Sequence, residues 1–194
     1  MTTDDYYNQH ANEFISTTFA VEMERLYEPF LTNLSENARI LDVGCGSGRD
    51  TLAFKRLGYQ VEAIDSSEEL VKHASALTGI KVRHQSFYDL EEDAVYDGIW
   101  ACASLLHCER PRLFEVVLKL IQALKPNGVL YMSFKYGNQD REHNGRMFTD
   151  LNETQAEALL QQYPDIALLQ QWLSIDQRPE RSEKWLNLLW KKHG

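Results

Sequence analysis

A short apolar run that ends in three evenly spaced glycines constrains this chain more than any other feature. Arg39-Ile-Leu-Asp-Val43 leads directly into Gly44-Cys45-Gly46-Ser-Gly48. The run is too short for a helix and is bounded by turn residues, so it reads as a buried strand. Arg49 to Leu57 then reads as a helix stopped by Gly58. Glycines at a strand-to-helix turn let a ligand approach bare backbone, because a side chain would hold it off and forbid positive φ. In an open α/β sheet, ligands lie outside the carboxyl ends of the strands. The turn is therefore the first candidate binding site, with an ordinary glycine-rich turn as the alternative.

The strand-helix alternation continues downstream. Gln60 to Asp65 reads as a strand, and Ser66 or Ser67 caps a helix from Glu68 to Leu77 that has acids in its first turn. Ile80 to His84 and Tyr96 to Ser104 read as the third and fourth strands. A helix from about Pro111 to Leu124 precedes the turn Pro126-Asn127-Gly128 and a fifth strand, Val129 to Phe134. This order predicts right-handed βαβ units in a mostly parallel sheet with helices on both faces. Upstream, apolar residues recur at helical spacing from Glu13 to Leu34, with a kink or break expected at Pro29. Downstream, Tyr136 to Asp150 reads as a loop, Asn152 to Gln162 as a helix and Ile166 to Ile175 as a strand. Lys184 to Trp190 reads as a last strand or short helix.

With 29 acids against 20 bases and a formal charge of −9, the chain is poorly suited to a broad phosphate-binding groove. The densest basic stretch, Lys184 to His193, reads as a solvated end. No apolar stretch approaches the roughly 20 residues that a membrane-spanning helix needs. Residues 1–10 lack a secretory pattern, and the three cysteines show no ligand spacing. A reduced, cytoplasmic, metal-free protein is expected, and its oligomeric state is not legible.

Asp65 ends the second strand 17 residues beyond Gly48, where a carboxylate accepts hydrogen bonds from both hydroxyls of a ribose. A nicotinamide site would need G-x-G-x-x-G, and a Walker loop Gly-Lys-Ser/Thr; neither is present. Residues 39 to 134 resemble a class I S-adenosylmethionine (SAM)-dependent methyltransferase. "ILDVGCGSG" is similar to the family's first motif, "VEAIDSS" to its ribose-binding strand, "YDGIWACASLLH" to its fourth motif and "LKPNGVLYMSF" to its fifth strand. The resemblance implies a Rossmann-like three-layer sandwich: a mostly parallel seven-stranded sheet, order 3-2-1-4-5-7-6, with an antiparallel last strand. It also implies SAM as cofactor and one domain over residues 1–194. That domain would comprise an N-terminal helical lid (1–35), a cofactor core (39–134) and a substrate-side segment (135–194).

Carried over by position, the backbone of Gly44, Cys45, Gly46 and Gly48 would meet the homocysteine side of SAM. Asp42 would order that loop or reach the amino group, and Arg49 would pair with the carboxylate or stay solvated. Asp65 would hold the ribose and Ser66 would lie beside the adenine. Ser86 and Phe87 stand where many relatives place an adenine-binding Asp. Ala101 and Cys102 would pass the methionine end. "DDYYNQHANEF" resembles a lid sequence in which Tyr7 covers the cofactor, with a hydrophobic anchor for the first helix as the alternative.

Methyl transfer is an in-line displacement that depends on positioning, and a base is needed only if the acceptor must lose a proton. His107 is the candidate base, with local packing as the alternative. The fourth motif lacks the Asn/Asp-Pro-Pro-Tyr/Phe pattern of nucleic-acid amino methylation. That absence and the acidic charge favour transfer to O, N or S of a small, anionic molecule. Lys135, Tyr136 and Arg146 are its candidate ligands, in a stretch that also holds Arg141 and Phe148; Asp176, Arg178, Arg181, Trp185 and Asn187 come later. The alternatives are a tRNA/RNA methyltransferase and a SAM-binding partner subunit without its own activity.

Overall fold

The computed structural model describes residues 2–178 and 181–194. Three helices, α1 (Thr3–Gln9), α2 (Ala11–Thr18) and α3 (Glu24–Leu31), precede the first strand, β1 (Arg39–Val43). Then α4 (Arg49–Arg56), β2 (Gln60–Asp65), α5 (Glu68–Thr78) and β3 (Arg83–His84) alternate. They are followed by β4 (Tyr96–Ala101), α6 (Arg110–Ala123) and β5 (Leu124–Lys135). The last third holds β6 (Asp140–His143), β7 (Arg146–Thr149), α7 (Glu153–Leu160), β8 (Ile166–Ile175) and β9 (Lys184–Lys192).

Seven strands form one sheet in the order β3-β2-β1-β4-β5-β9-β8. Neighbours from β3 to β5 pair parallel, whereas β9 runs antiparallel to both β5 and β8. This is the expected Rossmann-like order, with β8 and β9 as its sixth and seventh strands. Side chains alternate across the sheet, so both faces are apolar. Leu41, Val43, Ile99, Leu130, Met132 and Leu188 pack with Val116, Val117 and Leu120 of α6. Ile40, Trp100, Val129 and Tyr131 face the other way, against Tyr27 and Phe30 of α3 and Phe54 of α4. Strand order reverses between β1 and β4, which opens the crevice at their carboxyl ends.

The structure departs from the sequence reading in four places. The N-terminal helical stretch breaks over residues 19–23, and Pro29 lies inside α3. The basic tail, read as a solvated end, is not free: it forms β9, the strand alternative of the sequence reading, and Lys192 Nζ donates to the carbonyls of Ile121 and Leu124. That ammonium satisfies carbonyls at the C-terminal end of α6. The third strand is only two residues long. Finally, the segment read as a loop after β5 contains the hairpin β6–β7. Asn144 and Gly145 turn it with φ of 52° and 75°, the left-handed pair that a two-residue hairpin requires. Arg141 fixes it by donating to both oxygens of Asp150, at 2.8 and 3.0 Å.

Candidate active site

The glycine turn is drawn against β2 and the segment after β4. The N–H groups of Gly44 and Cys45 donate to the Ile64 carbonyl at 2.9 and 3.0 Å. Gly46 N–H donates to Asp65 Oδ2 at 2.8 Å, and Ser67 N–H to Oδ1 at 2.9 Å. A Cβ added at Gly44 would stand 2.5 Å from Ser104 Cβ, and one at Gly46 would stand 2.9 Å from the Phe14 ring. Only bare backbone fits. Asp65 is buried, and burial pushes its carboxyl up to about 6. Each of its oxygens accepts one N–H and so keeps acceptor capacity, and Asp65 lines a cavity of about 420 Å³. Ser66, Gln85, Ser86 and Phe87 line the same cavity. Ser66 Oγ donates to Asp4 at 2.6 Å, which brings α1 to the rim.

Asp42 lines neither this cavity nor the larger one. It accepts from Thr51 Oγ1 at 2.6 Å and so ties β1 to α4. Burial, with Asp50 nearby, raises its pKa. Ala101 is wholly buried within the sheet, and Gly48 starts α4 with φ of 77°.

A second cavity, of about 580 Å³, opens on the other side of the glycine turn and is lined by Arg49 and Cys102. Arg49 donates through Nε and Nη2 to Asp50, at 2.6 and 3.0 Å, and through Nη1 to the Thr18 carbonyl at 3.1 Å. Asp50 also accepts from Tyr27 Oη at 2.6 Å and from Trp100 Nε1 at 2.8 Å. These donors hold its carboxyl below the ordinary range despite burial. The guanidinium fork is thus already occupied by the protein. Burial and the Asp50 charge push the Cys102 thiol up to about 12, which removes it as a nucleophile.

The two cavities meet at Tyr7, Phe14, Gly44, Gly46, Ala103 and His107. His107 follows β4 in a short 3₁₀ turn, Leu105–His107. Its Nδ1 lies 2.7 Å from the Met147 carbonyl oxygen, which only accepts, so Nδ1 carries the proton. Nε2 is left with its lone pair, 2.9 Å from Tyr7 Oη, and the phenol donates to it. Burial depresses the imidazole pKa to about 4, and the nearby charges of Arg146 and Lys135 add to the effect. His107 is neutral at physiological pH.

Cations gather around the buried Phe148 ring, with Lys135, Arg141 and Arg146 between 5.0 and 5.3 Å from its centroid. Lys135 pairs with Glu183 at 3.1 Å and Arg141 with Asp150 at 2.8 Å. Arg178, on the same wall, pairs with Asp176. Arg146 differs. It stacks on Tyr6 at 4.0 Å, pairs with no carboxylate among the described residues, and its Nε is buried without a hydrogen-bond partner. Tyr136 lies outside both cavities, 40% exposed, with its hydroxyl donating to Glu153. Its expected place beside Lys135 and Arg146 is corrected accordingly: an isolated bridge pairs its backbone with Leu151, and its side chain is held by Glu153 at the surface. His10, His143 and Glu183 line the larger cavity, and no spacing signal singled them out. Among the described residues no cluster of metal-ligating side chains occurs.

A glycine cradle and a buried strand-end carboxylate at the switch point of this sheet define a nucleoside-binding protein of the Rossmann-like methyltransferase fold. A methyltransferase domain model matches residues 40–128, just under half of the chain, and that segment is similar to the class I SAM-dependent methyltransferases. It is similar to the ubiquinone biosynthesis O-methyltransferase of Xanthomonas campestris pv. campestris, with 40% identity over 103 residues. That match covers 50% of this chain and 42% of the relative, so the chain spans under half the length of the curated relatives it matches. Among solved structures it is similar to the 1,6-didemethyltoxoflavin-N1-methyltransferase of Burkholderia thailandensis. The TM-score is 0.79 at 22% identity, covering 99% of this chain and 87% of that one. The [4+2]-cyclase SpnF gives a TM-score of 0.76 at 17% identity, covering 98% and 94%. A cyclase on the same fold shows why chemistry must be argued from the site.

The residues present fit SAM. The cradle excludes any side chain at Gly44 and Gly46, Asp65 lines the smaller cavity with acceptor capacity to spare, and among the described residues no Lys or Arg lines that cavity to await a phosphate.

Proposed function

We propose that this chain transfers a methyl group from SAM to O, N or S of a small, anionic acceptor. SAM supplies an electrophilic methyl carbon on a sulfonium. The smaller cavity would take the nucleoside, with Asp65 on the ribose and Ser66, Ser86 and Phe87 beside the base. The backbone of Gly44, Cys45 and Gly46 would lie along the amino-acid end. The larger cavity would take the acceptor, and its nucleophile would face the junction at Tyr7 and His107.

The observation that carries the reading is Arg146. A guanidinium flanked by Tyr6, Tyr7 and Phe148, with no carboxylate partner among the described residues and a buried Nε, is a seat for an external anion. Its neighbours Lys135, Arg141 and Arg178 are paired internally and shape the wall. The formal charge of −9 disfavours RNA as the anion. The similar ubiquinone biosynthesis enzymes are O-methyltransferases, which supports oxygen among the three acceptor atoms.

The test is methyl incorporation from labelled SAM into cell extract separated into small molecules, RNA and protein. Label is expected in small molecules retained by an anion exchanger. With the acceptor in hand, Arg146→Gln should raise its KM and leave S-adenosylhomocysteine affinity unchanged. Arg146→Lys should restore only part of the loss, since an ammonium cannot reproduce the planar fork. Label confined to RNA or protein, or a wild-type KM in Arg146→Gln, overturns the reading.

A further inference from the structure

We infer that Tyr7 is a catalytic residue: its hydroxyl receives the proton leaving the acceptor and passes its own to His107 Nε2. The inference rests on the methyl-transfer reading above and adds to it a proton path and a requirement on the acceptor.

The path follows from which nitrogen is free. The Met147 carbonyl occupies the Nδ1–H of His107, so Nε2 holds the ring's one available lone pair. Tyr7 Oη covers that lone pair at 2.9 Å, from a helix 100 residues away in the chain. A proton leaving the larger cavity therefore meets Tyr7 before it meets the imidazole. The phenol is placed to relay it. Tyr7 lines both cavities, and its ring is held edge-on by Phe14, Tyr6 and His107. Having donated to Nε2, Oη still has lone pairs with which to accept.

A lone pair on the acceptor atom X forms the bond to the methyl carbon, and the carbon–sulfur bond breaks with its electron pair retained by sulfur. The X–H proton moves to Tyr7 Oη while the Tyr7 O–H proton moves to Nε2. Tyr7 ends neutral and His107 ends as imidazolium, which returns its proton to solvent after product release.

The charged groups that face this pair favour one acceptor type. Arg146 from β7 bears on both partners, the phenol as well as the imidazole; Lys135 from β5 bears on His107, and Asp65, Tyr6 and Arg178 bear on the phenol. The cations oppose a positive imidazole, so in the empty site the base is weak. An anionic group seated on Arg146 offsets that opposition, and the bound acceptor makes its own base effective. The acceptor must also bring an ionisable proton, as a hydroxyl does and a tertiary amine or thioether does not.

Tyr7→Phe keeps the ring packing and removes only the relay. Its turnover should fall about 10²-fold or more, with S-adenosylhomocysteine affinity by calorimetry unchanged. The deficit should shrink as pH rises toward the acceptor's own pKa, because an acceptor that is already ionised needs no relay. A purely structural role would give a deficit independent of pH, and that result overturns the proposal. So does wild-type turnover, or a loss of S-adenosylhomocysteine affinity that accounts for the whole defect. A ¹⁵N spectrum of the free protein needs no acceptor. It should show His107 protonated at Nδ1, and the opposite tautomer removes the proton path. Failure to find a small anionic acceptor is a separate result and counts against the methyl-transfer reading itself.

Discussion

Alanine at Gly44 and at Gly58 separates the cost of a left-handed backbone from the cost of filling the cradle. Both glycines have positive φ, 73° and 92°. A non-glycine residue in that region costs about 1–2 kcal/mol, and the smaller unfolded-state entropy of alanine offsets about 0.4–1 kcal/mol at either site. A Cβ at Gly58 meets nothing within 4 Å, so Gly58→Ala should show only this backbone cost. A Cβ at Gly44 comes within 2.5 Å of Ser104 Cβ and 3.7 Å of its Cα, and something must move. Overpacking of that kind adds about 1–3 kcal/mol. In a chain of this size, about 2–4 °C of melting temperature is lost per kcal/mol, so Gly44→Ala should melt several degrees below Gly58→Ala. The clash also has a functional direction. Ser104 immediately precedes the turn that carries His107, and Gly44 borders both cavities. Gly44→Ala should therefore lose S-adenosylhomocysteine affinity, whereas Gly58→Ala keeps it. Scanning calorimetry and titration calorimetry read the two effects. Equal melting losses with equal S-adenosylhomocysteine affinities would refute the cradle.

The Asp65 carboxyl, pushed up to about 6 by burial, should make cofactor affinity pH-dependent. Above that value the carboxylate accepts from the ribose hydroxyls; below it the protonated acid loses acceptor capacity, and S-adenosylhomocysteine affinity should drop as pH falls from 7 to 5. The sign for stability is opposite. A raised carboxyl pKa stabilises the free protein at low pH, and this contribution is lost as pH rises from the unfolded value near 3.8 through about 6. The melting increase given by S-adenosylhomocysteine should thus be larger at pH 7.5 than at pH 5, and equal increases would count against Asp65 as ribose ligand. Asp50→Asn should cost about 3–5 kcal/mol, because it leaves the Arg49 guanidinium charged and partly buried without its counter-ion. Denaturant unfolding of that variant reads the cost, and a change under about 1 kcal/mol would mean that the Arg49–Asp50 pair holds little of the wall together.

How far the site was legible depends on how local its parts are. The cofactor half runs from Ile40 to Asp65, one strand, one turn, one helix and a second strand. Its apolar runs, its glycines and its strand-end acid all carry sequence signals. The half we assign to the acceptor is assembled from both ends of the chain, and its decisive contacts have no local signature. Nothing in the stretch from Thr2 to His10 says that Tyr7 will stand 2.9 Å from a histidine 100 residues away. The hairpin β6–β7 hid for a different reason. Asp140 to His143 is exposed on both faces and so shows no apolar alternation; Asn144-Gly145 was its single usable signal. Charge alone also misleads. Lys135, Arg141, Arg146 and Arg178 look alike in sequence, but their availability is set by carboxylates at very different separations: Glu183 lies 48 residues from Lys135, Asp150 nine from Arg141 and Asp176 two from Arg178. A guanidinium already gripped by a carboxylate must break that pair before it binds a ligand, whereas an unpaired one spends its whole attraction on the ligand. Among these four, Arg146 is the one without such a partner among the described residues. Which cation anchors an acceptor is decided by the pairing of its neighbours, a property of the folded chain that spacing along the sequence does not encode.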